Sequence, residues 1–216
     1  MNLPNKITLT RIFLIPVFTV IFFLTVIPYN YFIACLIFIV AACTDFIDGH
    51  IARSRNLVTN LGKFLDPIAD KVLVSTAFIV LLTRGGAFEV SFFAGWGLIT
   101  AGICVAVILA RELIVSGFRM IAAGRGLVLA ADKLGKLKTV FQDASIALML
   151  AGMTFLGGTA GVVIFTAGVV CFYLCTLLTV LSGVNYIVKN KEVLREPSAA
   201  PEAQSVAYGD TAAEPA

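Results

Sequence analysis

The sequence predicts an all-α, polytopic membrane protein with six transmembrane helices, and three observations carry that reading. Apolar residues make up 59% of the 216 positions and charged residues 13%, against about 45–50% and about 25% in soluble domains. Mean hydropathy is +0.98. A water-soluble fold of this size could not hide so much apolar surface, which excludes a soluble globular enzyme, a disordered chain and a secreted disulfide scaffold. Six apolar stretches, roughly 9–28, 31–48, 66–83, 90–117, 138–157 and 160–188, reach or approach the roughly 20 residues that cross about 30 Å of hydrocarbon. The basic residues segregate, with 15 on one side of these stretches and Arg84 alone on the other.

The first stretch follows Lys6 and Arg11, as the core of a signal peptide would. It is long for that role, and Thr25–Tyr31 offers no small-x-small cleavage site, so it reads as a retained helix. Its unbroken run Ile12–Ile27 lacks the alternation of a membrane β-strand. The second stretch ends in Asp45 and Asp48. The third is the weakest, because Asp66, Asp70 and Lys71 open it. The fourth, at 28 residues, is long enough to project beyond the bilayer. Gly157 and Gly161, between the last two, read as turn glycines rather than a helix-packing motif. All five cysteines (Cys35, Cys43, Cys104, Cys171 and Cys175) lie in apolar runs and read as small hydrophobes. Residues 1–190 form the membrane domain. Residues 191–216, rich in Ala, Pro, Glu and Ser from about 196, read as a disordered cytoplasmic tail.

Topology follows from the connections. Lys6 and Arg11 precede the first span; Arg53, Arg55, Lys63 and Lys71 surround the second connection. Arg111, Arg119, Arg125, Lys133, Lys136 and Lys138 surround the fourth, and Lys189, Lys191 and Arg195 follow the last span. The positive-inside rule places both termini and the two long loops in the cytoplasm. An even number of crossings requires the termini to share a side, so span count and charge asymmetry agree.

Acidic side chains at membrane level are costly and mark function by default. Here four fall within 26 residues: Asp45, Asp48, Asp66 and Asp70. Asp45 and Asp48 are three apart, and Asp66 and Asp70 four apart, so each pair shares a helix face. Gly49, Asn56, Asn60 and Gly62 lie between them and suit a reversal of direction. Two antiparallel helices then bring both pairs together at the cytoplasmic edge. Four carboxylates in one low-dielectric spot must either protonate in part or be neutralised by cations. Hard oxygen donors at this density suit Mg²⁺ or Mn²⁺, with room for two ions. Each aspartate also has a purely structural reading. Asp66 before Pro67 could cap a helix, Asp70 could pair with Lys71 or Arg53, and Asp48-Gly49 could end a helix. The spacing does not fit an EF-hand loop. A cation transporter is a further alternative, but it would place its acids near the midplane on broken helices rather than at helix ends beside Arg53.

Asp45-x-x-Asp48-Gly49-x-x-Ala52-Arg53, eight residues, then Gly62-x-x-x-Asp66-x-x-x-Asp70 resembles the signature of the CDP-alcohol phosphotransferase family at every position. The six-helix architecture of that family matches the segmentation over roughly residues 1–190. The resemblance implies that Asp45, Asp48, Asp66 and Asp70 are metal ligands and that Asp70 is also the general base. It implies that Gly49, Ala52 and Gly62 admit the CDP moiety, and that Arg53 lies near the nucleotide phosphates. A hydroxyl would attack the β-phosphorus of CDP-diacylglycerol and CMP would leave. The resemblance further implies a homodimer in the plasma membrane of a bacterium, in contact with membrane lipids. Nucleic acid is not expected as a partner.

The acceptor is addressed by a second basic cluster. Arg111 and Arg119 in Arg111-Glu112-Leu113-Ile114-Val115-Ser116-Gly117-Phe118-Arg119 are eight apart, about 80° around a helix. Lys136 and Lys138 in Gly135-Lys136-Leu137-Lys138-Thr139 open the next span. On charge alone this cluster reads either as positive-inside topology with headgroup contacts or as a site for a phosphorylated acceptor. Within the family, these runs and the N-terminal Asn2-Leu3-Pro4-Asn5-Lys6-Ile7-Thr8-x-x-Arg11 resemble members that use glycerol 3-phosphate. The resemblance implies that Arg11, Arg111, Arg119, Lys136 and Lys138 bind the acceptor phosphate, and that Asn5 and Thr8 border the CDP-lipid. Phosphatidylglycerol or an inositol phosphate is the rival acceptor. His50, the only histidine, reads as a headgroup-level side chain.

Overall fold

A computed structural model describes residues 3–54, 60–89, 96–124 and 133–190. The regular elements among them are all helices: α1 (Leu3–Phe23), α2 (Asn30–Ser54), α3 (Asn60–Leu82), a short α4 (Gly85–Glu89), α5 (Gly97–Gly124), α6 (Lys133–Thr154) and α7 (Thr159–Lys189). Six are long, in the order expected. Among the described residues, α1, α5 and α7 are long and apolar enough to cross a membrane, and Asn30–Thr44 of α2 is a shorter apolar segment. The outward faces are apolar too. Phe13, Leu113, Met120, Val163 and Val188 are each more than 60% exposed, a surface suited to lipid rather than water.

Several expected boundaries move, and the shifts matter. The span expected at 90–117 is a helix from Gly97 to Gly124, preceded by the separate α4. Apolarity had marked the segment, whereas its C-terminal half continues as helix through Gly117 and Arg119. The span expected at 66–83 begins six residues earlier, at Asn60. Asp66 and Pro67 are therefore inside α3, and the helix-cap reading of Asp66 is wrong. Likewise α2 continues through Asp48 and Gly49 to Ser54, so that pair does not end a helix. Gly49, Asn60 and Gly62 belong to helices; residues 55–59, Asn56 among them, lie outside the described residues. The tail expected at 191–216 also lies outside them.

The main core is aromatic and aliphatic. Phe18, Phe22, Phe38, Phe78, Phe165 and Phe172 are almost fully buried, with tilted or edge-on ring pairs such as Phe78–Phe172 at 5.3 Å between centroids. The most extensive contact is between α6 and α7, and small residues permit it. A Cβ on Gly152 would lie 2.5 Å from the Phe165 backbone nitrogen, and one on Gly168 would lie 2.8 Å from that of Met149. Gly161 is buried against the Phe155 carbonyl with no room for a Cβ. It is thus a packing glycine, contrary to the turn reading; Gly157 is in the turn. A satellite cluster of Val115, Phe118, Ala122 and Tyr186 joins the ends of α5 and α7. All five cysteines are free.

Candidate active site

The aspartate signature lies on two consecutive helices. Asp45, Asp48, Gly49, Ala52 and Arg53 are in the C-terminal half of α2; Gly62, Asp66 and Asp70 are in the N-terminal half of α3. The side chains of Asn5, Asp45, Asp48, Arg53 and Asp66, like the surroundings of Gly49, Ala52 and Gly62, lie outside the described residues. Among the described residues no cluster of three metal-ligating side chains occurs, and Asp70 is the signature carboxylate included. The donor set still fits a hard divalent cation. Its four members are carboxylates on two neighbouring helices, and no cysteine lies in the segment.

α1 supplies a fixed wall beside α2. Thr8 and Arg11 are 0% exposed, three residues apart on the face that continues into Ile15, Phe18 and Phe22. Arg11 donates from Nε to the Ala41 carbonyl at 3.2 Å and to Thr44 Oγ1 at 3.4 Å. Thr44 immediately precedes Asp45, so this buried guanidinium is anchored where the aspartate pair begins. A fully buried Arg in an apolar body requires such partners.

The second basic cluster is organised around a residue to which sequence reasoning gave no role, Glu112. Its Oε1 accepts from Lys138 Nζ at 2.5 Å and from Arg111 Nη1 at 3.1 Å. Arg111 Nη2 donates to Ser182 Oγ at 2.9 Å. Gly183 leaves room for the Arg111 side chain, since a Cβ there would lie 3.0 Å from its Cγ. One carboxylate therefore connects α5 to α6, and one arginine connects α5 to α7. Glu112 is the only acid in α5, and an acid at membrane level was the signal available for finding it.

Asp70, Lys71, Glu112, Lys138, Thr139 and Gln142 are among the residues that enclose a cavity of about 30 Å³, room for about one water. Asp70 is thus brought to the same wall as Lys138 and Glu112. Arg111 joins through Glu112, and its Nε is buried without a hydrogen-bond partner. Arg119 is set apart: its Nε donates to Tyr186 OH at 3.2 Å, with the guanidinium 5.3 Å from the ring centroid. Lys136 is exposed, two residues from buried Lys138 and so on another face of α6. Of the four cations expected together on α5 and α6, the structure unites Arg111 and Lys138, and not Arg119 or Lys136, around one carboxylate.

The sequence profile of the CDP-alcohol phosphatidyltransferase family matches residues 1–193. The chain belongs to that family. Family relatives cover nearly its whole length. A protein of Bacillus subtilis (strain 168) named CDP-diacylglycerol–glycerol-3-phosphate 3-phosphatidyltransferase is 40% identical over 206 residues, 90% of this chain and 97% of its own. Proteins with the same name from Rickettsia typhi and Escherichia coli K12 are each 35% identical over 86% of this chain, and 94% and 93% of their own. The match spans the helical body that holds the aspartates and the Glu112 network together.

Proposed function

We propose that this protein is a membrane transferase that moves a phosphatidyl group from CDP-diacylglycerol to sn-glycerol 3-phosphate, giving phosphatidylglycerophosphate and CMP. The observation that carries the reading is the placement of Asp70 in one cavity wall with Lys138 and Glu112, with Arg111 attached through Glu112. A carboxylate able to take a proton stands beside cations able to hold a phosphate. The names of the relatives support the choice of donor and acceptor.

In this reading Asp70 accepts the proton of the attacking acceptor hydroxyl as the new phosphate ester forms. Arg111 and Lys138 hold the acceptor's phosphate through charge-assisted hydrogen bonds. Arg11 and Arg119 add positive charge at the edges, and exposed Lys136 contributes to the field that draws the anion in. Thr8 and Asn5 border the lipid donor from α1. Gly49, Ala52 and Gly62 are the small positions assigned to the CDP moiety, and Arg53 is assigned to its phosphates. Two Mg²⁺ or Mn²⁺ ions held by Asp45, Asp48, Asp66 and Asp70 would neutralise the diphosphate and the charge developing on CMP. The phosphatidyl–CMP bond breaks as the bond to the acceptor oxygen forms.

The same proposal includes six spans, both termini in the cytoplasm, residence in the plasma membrane and assembly as a homodimer. Cysteine labelling on a Cys-free background tests the orientation: a cysteine placed at position 196 or later should be inaccessible from outside intact cells. The reaction is tested with purified protein, CDP-diacylglycerol and ¹⁴C-glycerol 3-phosphate. The label should pass into lipid in step with CMP release. Equal or faster CMP release with an inositol phosphate or phosphatidylglycerol would assign a different acceptor.

A further inference from the structure

We propose that Glu112 is the positioning residue of the acceptor site, holding Lys138 and Arg111 in place for the acceptor's phosphate. The inference rests on the acceptor reading above and extends it to a residue outside the aspartate signature.

Lys138 is 3% exposed, and a buried ammonium needs a compensating charge. Glu112 Oε1 supplies it at 2.5 Å. An ammonium has three donors, so pairing with one carboxylate oxygen leaves capacity for an arriving phosphate. Arg111 is fixed from both sides, by Glu112 through Nη1 and by Ser182 through Nη2.

Lys71, Lys138 and Asp70 line the small cavity with Glu112. Without the Glu112 charge, Lys138 and Arg111 lose the carboxylate that joins them.

The test uses full-length protein in nanodiscs, with CMP release followed against each substrate in turn. Glu112→Gln preserves shape and removes charge. It should raise KM for glycerol 3-phosphate about tenfold or more, with a smaller fall in kcat, while KM for CDP-diacylglycerol and the melting temperature stay near wild type. Glu112→Asp should recover part of the loss. If Glu112→Gln does not fold, Lys138→Leu and the pair Glu112→Leu/Lys138→Leu keep the question open to measurement, because an apolar pair can replace a buried ion pair without loss of stability. The pair should then raise KM for glycerol 3-phosphate above that of Lys138→Leu alone, since Arg111 also loses its Glu112 anchor. An unchanged KM for glycerol 3-phosphate in folded Glu112→Gln overturns the proposal. So does a parallel rise in both KM values with a lower melting temperature, or a pair whose KM equals that of Lys138→Leu alone. Those results leave the acceptor reading intact. Wild-type protein that does not use glycerol 3-phosphate at all overturns the acceptor reading itself.

Discussion

At the end of the helical body where α1, α3 and α6 begin, buried polar side chains come in connected sets. Arg11 is tied to Ala41 and Thr44, and Glu112 to Lys138, Arg111 and, through Arg111, Ser182. At the opposite end, Arg84 lies 5.9 and 5.7 Å from the Phe22 and Tyr31 ring centroids, and its Nε is buried without a hydrogen bond. Asn30 there donates to the Phe22 carbonyl at 2.7 Å, closing off the end of α1. Both ends carry cations, but among the described residues only the first surrounds them with carboxylates and hydroxyls from four helices. Burying such groups costs desolvation, which binding of the proposed acceptor's phosphate would offset. The far end is held by rings and close backbone packing, which fit a structural role.

The contrast sets an order of expected effects. Asp70→Asn keeps the side-chain shape and removes the base, so kcat should fall on the order of 10²-fold or more. Chelation should act as strongly, with activity lost in EDTA and restored by Mg²⁺ or Mn²⁺; full turnover in EDTA would remove the metal ions from the account. Next comes Arg111→Lys. It keeps the charge but loses the fork that bonds Glu112 and Ser182 together. The loss of one charge-assisted contact, about 1.5–3 kcal/mol, should appear chiefly in KM for glycerol 3-phosphate. Gly152→Ala at the α6–α7 contact should reverse the pattern. Overpacking there costs about 1–3 kcal/mol and lowers the melting temperature, while kcat of the folded fraction stays near wild type. Smallest is Arg84→Met, which gives up ring contacts worth about 0.5–1 kcal/mol each. A loss of turnover in Arg84→Met larger than that in Arg111→Lys would erase the distinction between the ends.

What could be read in the sequence follows from how local each feature is. The four aspartates sit three and four residues apart within helices, so their spacing carries the information. Helix identity was similarly legible from apolar runs. Helix ends were not: apolarity does not register that α3 starts at Asn60 or that α5 continues past Gly117, because polar residues extend a helix beyond the apolar segment without changing its period. The Glu112–Lys138 pair joins residues 26 apart, and Arg111–Ser182 residues 71 apart; no local pattern encodes such contacts. Lys136 and Lys138 show the limit most sharply. As neighbours in a basic run they look equivalent, yet one is exposed and the other is buried on a carboxylate, a difference set by which face of α6 packs inward.

The central claim is that the connected polar end recognises a phosphorylated acceptor. Its most direct test is the ratio of kcat/KM for glycerol 3-phosphate to that for glycerol, measured by CMP release in wild type and in Arg111→Ala. The account predicts a strong wild-type preference for the phosphorylated acceptor, reduced about 10- to 150-fold by the substitution. A wild type that favours glycerol, or a ratio that Arg111→Ala leaves unchanged, would contradict it.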